Sequence, residues 1–468
     1  MERYAVYTMI GRATAGILTQ FMTDLFFELH ARSAFSFLEG ASTPEELTSV
    51  AAELDIPGLA ILDRDGVYGA PRFHIAAREA GIRAHIGAEI TLQGGARLPV
   101  LVENKTGYRN LCRLITTIRM RPDPQRGATE EDLQRFSNGL ICLTGDQNGP
   151  VAHALRNGFE EALKTVNMLA DIFGSDRIYC ELQRHFDRDE EYHTQAVAGI
   201  AEKLKLPLLA SNGACYALAS ERKLLDVLTC VRNRTNLQQA GRLLCRNSER
   251  HLKPHRLMEQ LFRDYPGAIA ATRELSSRLE FTLDDPGYRF PEYPVPAGEN
   301  MSSYLRKVTE EGARHRYRPF HEKARRQIKR ELDLIEKLGM AGYFLIVWDI
   351  VNFCREHGIL VQGRGSAANS AVCYSLGITA VDPVGMDLLF ERFLSEERGE
   401  WPDIDLDLPS GEQRERVIKW LYSKYGKSGA AMTANVITYR GRSAAREIGK
   451  ALGFDLSTLS RLSSLINV

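Results

Sequence analysis

No excess of either charge marks this chain: 60 Lys and Arg stand against 60 Asp and Glu in 468 residues. No global field favours nucleic acid, so any anion-binding surface must be local. The eight cysteines form no CxxC pair, which argues against a disulfide framework or structural zinc and for a reducing cytosol. No apolar run is long enough to span a bilayer. In the first 25 residues Arg12 interrupts the only candidate signal-peptide core, so residues 1–25 read as a loose extension. Internal repeats and low-complexity tracts are missing too. What is present, 44% hydrophobic and 26% charged residues, is the balance of a soluble globular protein. The length allows roughly two to four domains.

From residue 26 to about 230, short apolar runs alternate with helical patterns. GLAIL (58–62), ARLPVLV (96–102), GLICLT (139–144), RIYCEL (177–182) and LPLLAS (206–211) read as buried strands. TPEELTSVAAEL (43–54) reads as a helix, with a capping box of Thr43 and Glu46 and with Pro44 at its first position. Such repetition predicts a parallel α/β barrel or a doubly wound sheet. Residues 284–300 carry four prolines and read as an extended linker. Two basic helical stretches follow. Residues 301–330 hold ten Lys/Arg against three Glu, and residues 411–450 hold nine against three. YFLIVWDIVNFCREHG (343–358) reads as an apolar helix and ILV (359–361) as a short strand.

Three stretches carry chemistry. VQGRGSAANS (361–370) places glycines between a strand and a helix. There backbone amides and the helix N-terminus can approach a phosphate, helped by Arg364, Ser366 and Ser370. PDIDLD (402–407) alternates Asp403, Asp405 and Asp407 with Ile404 and Leu406. In a strand such carboxylates share one face and can converge on a pair of Mg²⁺ ions about 3.5–4 Å apart. A solvated acidic edge strand fits the alternation as well. Between them, LLFERFLSEERGE (388–400) offers Arg392 and Arg398 to the same space.

These motifs, in this order and flanked by basic helices, resemble the C-family bacterial DNA polymerases, the polymerase III alpha subunits. The matching segments are GRGSAANS, FERFL and PDIDLD. The resemblance implies that Asp403 and Asp405 are the catalytic, metal-binding aspartates of a two-ion Mg²⁺ site. It implies that Arg364, Gly365, Ser366 and Arg392 bind the incoming nucleotide, with Asp407 in support. ELHARSAFSFLEGAS (28–42), AILDRDGVYG (60–69) and GAEI (87–90) resemble the PHP domain that opens these polymerases. Its metal pattern is degraded here. His30, Asp63 and Glu89 remain, but Arg32 and Arg64 stand where histidines are expected, and Gly213 and Cys215 stand for a late Asp and His. Guanidinium groups remove ligands and add positive charge, so no PHP metals are expected. This pattern is most like the error-prone paralogue, which acts in damage tolerance and induced mutagenesis.

The resemblance implies an α/β chain: a PHP-type β/α barrel, then an α+β palm and the start of a helical thumb. The expected boundaries are an extension at 1–25, the PHP-like part at 26–283, a linker at 284–300, partial palm at 301–440 and thumb from 441 to 468. The implied activity is template-directed nucleotidyl transfer to a primer 3′-hydroxyl in the cytoplasm. The implied partners are primer–template DNA and dNTPs, with a sliding clamp and mutagenesis accessory proteins bound by segments beyond residue 468, and no membrane. The family places a third catalytic carboxylate past the position of Val468, so the resemblance also implies an incomplete chain with little activity alone. Two other readings stay open. One is a PHP-type phosphoesterase using His30, Asp63, Asp65 and Glu89. The other is a non-catalytic DNA-binding fragment using the basic stretches.

Overall fold

The computed structural model describes residues 25–122, 126–284, 286, 290–395 and 402–466. Most of the expected N-terminal extension and part of the proline-rich stretch thus lie outside the described residues. The chain divides into two compact units. The first takes residues 1–287 together with 438–468, and the second takes 288–437.

Seven strands in chain order make the sheet of the first unit: β1 (Glu28–Ala31), β2 (Gly58–Arg64), β3 (Arg83–Thr91), β4 (Arg97–Val102), β5 (Leu140–Leu143), β6 (Ile178–Leu182) and β7 (Leu208–Ala210). β1–β3 pair in parallel, β4 is antiparallel to both neighbours, and β5–β7 are parallel again. The sheet curls, and a parallel bridge between Ala31 and Ala214 ties β1 to the chain just past β7. This is the barrel-type α/β architecture expected from the strand–helix repetition. Alternate residues serve the two faces, as a period of two requires. Leu59, Ile61, Leu98 and Val100 join one core, whereas Ala60, Leu62 and Leu101 join the other.

All five apolar runs read as strands between residues 58 and 211 are strands. Helix α1 (Pro44–Glu53) carries the expected capping box, with Thr43 and Glu46 satisfying each other's backbone amides. β3 was not legible as a strand because its buried residues include His85 and Glu89, which break the apolar run. Late in the chain, the helices Gly441–Ala451 and Leu456–Leu465 pack on each other. The former also packs on the helix Arg222–Asn233, where Ala451 buries against Cys230 and Ala240.

The second unit is built on the helices Met301–Arg316, Glu322–Lys337 and Ala341–Glu356. Leu305, Ile328, Phe344, Leu345 and Val372 form its core. Its sheet has two strands, β8 (Gln362–Arg364) and β9 (Asp405–Asp407). The strand expected at 359–361 is displaced to 362–364. Ile359 instead fills a small cluster with Phe353 and Val417, while Leu360 is 81% exposed. No helix among the described residues is long and apolar enough to cross a membrane.

Candidate active site and the buried barrel centre

Backbone pairing brings the glycine-serine turn to the aspartates. In the antiparallel β8–β9 ladder Gln362 lies opposite Asp407, Gly363 opposite Leu406 and Arg364 opposite Asp405. The chain then turns at Gly365, whose φ of +70° is a left-handed conformation that glycine adopts without a Cβ penalty. A Cβ there would stand 3.9 Å from Asp405 Oδ2, so the turn's backbone runs directly beside that carboxylate. The 3₁₀ turn Gly365–Asn369 follows, with Ser366 half-buried.

The alternation of the acidic motif is realised in packing. Asp403, Asp405 and Asp407 are exposed, while Ile404 and Leu406 pack on the core of the second unit and Leu408 packs near Trp420. The ladder itself spans only 405–407, so Asp403 precedes it. The amide of Ile404 donates to the Tyr343 hydroxyl at 3.1 Å, which fixes this approach. A cation does sit among the carboxylates: Arg364 Nε lies 3.1 Å from Asp407 Oδ1 and 4.0 Å from Asp405 Oδ2. All three side chains are more than half exposed, so this pairing is weak and exchangeable.

The phosphate-facing helix N-terminus expected after the glycine-serine stretch is already occupied. The helix after the turn, Ala371–Ser375, does not offer a free N-terminus to a phosphate. The buried Glu331 carboxylate accepts from the amides of Ala371 and Val372, both at 3.0 Å, and from Ser370 Oγ at 2.8 Å. Burial pushes the Glu331 carboxyl up to about 7 even though these donors oppose it. Beside the glycine-serine turn lies the turn Phe390–Arg392. Phe390 and Phe393 anchor it in the core, and Glu391 pairs with Arg330. Arg392 is exposed there; Arg398 lies outside the described residues.

The barrel holds a second polar constellation, entirely buried. His30 contacts Glu181 through Nδ1 at 2.7 Å and Glu89 through Nε2 at 2.8 Å. Burial acts to lower its pKa, but the two carboxylates prevail and push it up to about 10. With both nitrogens protonated, the ring has no lone pair for a metal. Arg32 fills the neighbouring space. It donates to Glu89 through Nε at 2.8 Å, to Asp146 at 3.0 Å and to Cys215 at 3.4 Å. Against the opposing effect of burial, Arg32 and His30 bring Glu89 down to about 2, and Arg32 and Arg250 hold Asp146 far below the usual carboxylate range. Asp63 is tied to Ser33 and Ser36 by hydrogen bonds of 2.6–2.8 Å. Arg64 turns away to Glu39 at 2.7 Å, and Gly213 lies against Gln183. Of the degraded set, His30, Arg32, Glu89 and Cys215 therefore converge, whereas Arg64 does not join them. A cleft of about 430 Å³ is lined by Asp146, Glu181, Gln183, His193 and Arg250. Among the described residues no group of three or more His, Cys, Asp or Glu is arranged to hold a metal ion.

Residues 28–185 match the PHP domain, and residues 303–468 match the bacterial DNA polymerase III alpha NTPase domain. The chain thus combines a PHP domain with a bacterial DNA polymerase III alpha NTPase domain. An error-prone DNA polymerase of Mycolicibacterium paratuberculosis is 43% identical over 446 residues, covering 92% of this chain and 41% of that protein. Relatives of the same name from Anaeromyxobacter dehalogenans and Pseudomonas aeruginosa are 36% and 41% identical, with 46% and 40% of their lengths covered. The chain thus spans less than half the length of these relatives and aligns with their N-terminal part. A solved putative metal-dependent phosphoesterase from Bifidobacterium adolescentis matches 40% of the chain at 15% identity, with a TM-score of 0.30.

Several residues of these sites escaped the sequence reading. Glu181 and Asp146 lie on and just after strands that were read for their apolar content. The lone Glu within RIYCEL was the available sign, because a charge in a fully buried strand needs a partner. Glu331 is similar: it occupies a core position between Ile328, Leu332 and Ile335 on one helix face.

Proposed function

We propose that the second unit is part of an error-prone DNA polymerase centre, performing template-directed nucleotidyl transfer to a primer 3′-hydroxyl during DNA damage tolerance in the cytoplasm. The observation that carries this reading is the β8–β9 ladder, which sets the Gly365 turn beside Asp405. Asp403 and Asp405 are the residues that would hold Mg²⁺. They fit it, because magnesium takes hard oxygen donors and is commonly bound by one or two carboxylates plus substrate phosphates. When bound, the metal supplies positive charge to the transferring phosphoryl group. Arg364 is then free to leave Asp407 for a phosphate oxygen, since its pairs are exposed. The Gly365–Ser366 backbone orients the same phosphates, and Arg392 adds charge from the adjacent turn. Primer–template DNA and dNTPs are the substrates. A sliding clamp and mutagenesis accessory proteins are the proposed partners of the whole protein. The barrel, with Arg32 and protonated His30 at its centre, serves as a scaffold rather than as a phosphoesterase.

The test is binding of a fluorescent dNTP to the chain in the presence of primer–template DNA, with and without Mg²⁺. Binding is expected to require Mg²⁺, to be lost in the Asp403→Ala/Asp405→Ala variant, and to weaken about tenfold in Arg364→Ala, the worth of one charge-assisted hydrogen bond. Binding indifferent to Mg²⁺ and to both aspartates overturns the reading.

A further inference from the structure

The segment RSAFSFLEG, residues 32–40, places an aromatic side chain at the surface at a conformational cost. Phe37 and Leu38 both have positive φ, +36° and +68°, a region that costs of order 1 kcal/mol or more for residues other than glycine. The result is that Phe37 is 45% exposed, whereas Phe35, two residues earlier, is buried. Tyr68 comes from the next strand–helix connection. It is 38% exposed, and its ring centroid lies 5.6 Å from that of Phe37 at 47°. Gly66 makes room for it, because a Cβ at 66 would stand 2.2 Å from the Tyr68 ring.

Glu39, two residues after Phe37, gathers positive charge around itself. Three guanidinium groups converge on the single carboxylate of Glu39: Arg64 at 2.7 Å, Arg232 at 2.7 Å, and Arg97 through a hydrogen bond of 3.0 Å from its second terminal nitrogen. Two further carboxylates lie at the margin and are already committed. Asp65, 3.8 Å from Arg64, accepts from the amide and hydroxyl of Thr91, and Glu89, 3.9 Å from Arg97, is held by Arg32 and His30. Arg64 and Arg232 remain 40% and 39% exposed. The surplus is therefore cationic and reaches the solvent edge, and the chain ties it to the rings: Glu39 follows Phe37 by two residues and Arg64 precedes Tyr68 by four.

We propose that Phe37 and Tyr68, rimmed by Arg64 and Arg232, form a stacking platform for the bases of single-stranded DNA. Ring faces accept any base, while guanidinium groups track the phosphates, and together these are the parts of a sequence-tolerant single-strand site. A protein partner would use the rings but gain less from the surplus charge, which matches a polyanion. The platform uses neither the aspartates nor the glycine-serine turn. The inference draws on the polymerase reading only in its choice of DNA as partner, and it fails or stands separately from nucleotide binding.

The experiment is fluorescence anisotropy of the whole chain with a labelled oligothymidylate of about 16 nucleotides, a span within single-strand site sizes. An abasic oligomer of equal length serves as comparison. Phe37→Ala and Tyr68→Ala are expected to weaken oligothymidylate binding about fivefold or more, the effect of losing one stacked base. Binding of the abasic oligomer should stay unchanged. Phe37→Trp should retain binding, and Tyr192→Ala, at an exposed ring elsewhere on the barrel, should have no effect. Arg232→Ala should weaken both oligomers alike. Undiminished oligothymidylate binding by the ring variants overturns the proposal and leaves the rings to a protein partner. Equal loss on both oligomers in the ring variants also overturns it, because it marks a general electrostatic or folding effect.

Discussion

His30 and Arg32 occupy the barrel centre as cations, each lodged between buried carboxylates. Removing one member of such a set strands the others, which typically costs about 3–5 kcal/mol. The histidine gives the arrangement a pH signature. Its pKa rises from 6.5 to about 10 on folding, so the folded state binds the proton more tightly. The resulting stabilisation is fully present below pH 6.5 and is lost as pH rises through about 10. The imidazole ¹⁵N signals of His30 are expected to show the doubly protonated ring at pH 8. Glu181→Gln should bring deprotonation into the neutral range, because burial then opposes the charge with one carboxylate fewer to support it. A neutral ring at pH 8 in the parent chain would contradict the ion-pair account. Histidine at position 30 was legible in the sequence. Its state was not, because Glu181 lies 151 residues away and sits inside a strand otherwise read as apolar.

At the scale of elements, the second unit depends on one side chain to seat a whole turn. Glu331 reaches from the helix Glu322–Lys337 to bind Ser370 and the first amides of Ala371–Ser375, with Gln327 donating to the same carboxylate at 2.9 Å. Glu331→Ala leaves these buried donors unpaired and is expected to cost roughly 3 kcal/mol. All three tryptophans of the chain, at 348, 401 and 420, fall within the range of the second unit, so fluorescence excited selectively at tryptophan during urea unfolding reports this unit. An unchanged midpoint would show that solvent replaces the carboxylate. Local signals made the neighbouring elements readable: the capping box at Thr43, the apolar runs of β2 and β4, and the alternation of 403–407. β3 and the Glu331 contact were hidden because buried polar residues imitate surface residues in sequence, and only the fold reveals their partners. The short ladder of β9 was also beyond reach, since alternation alone does not say where pairing starts.

For the whole molecule, the first unit is discontinuous in sequence. Its last portion, 438–468, returns to the helix Arg222–Asn233 after the second unit has been threaded between. Cys230 is fully buried where Ala451 packs. A chain ending at residue 437 is expected to expose Cys230 to a thiol-alkylating reagent, read by mass spectrometry of its peptide, while the 468-residue chain protects it. Equal labelling in both would show that the helix pair adds no cover. The same threading has a consequence during synthesis on the ribosome. The barrel strands emerge first, but the surface around Cys230 stays open until the polymerase motifs have been translated. For that interval the nascent chain carries a temporary apolar site, one that a chaperone could hold and that the arriving C-terminal helices would then displace.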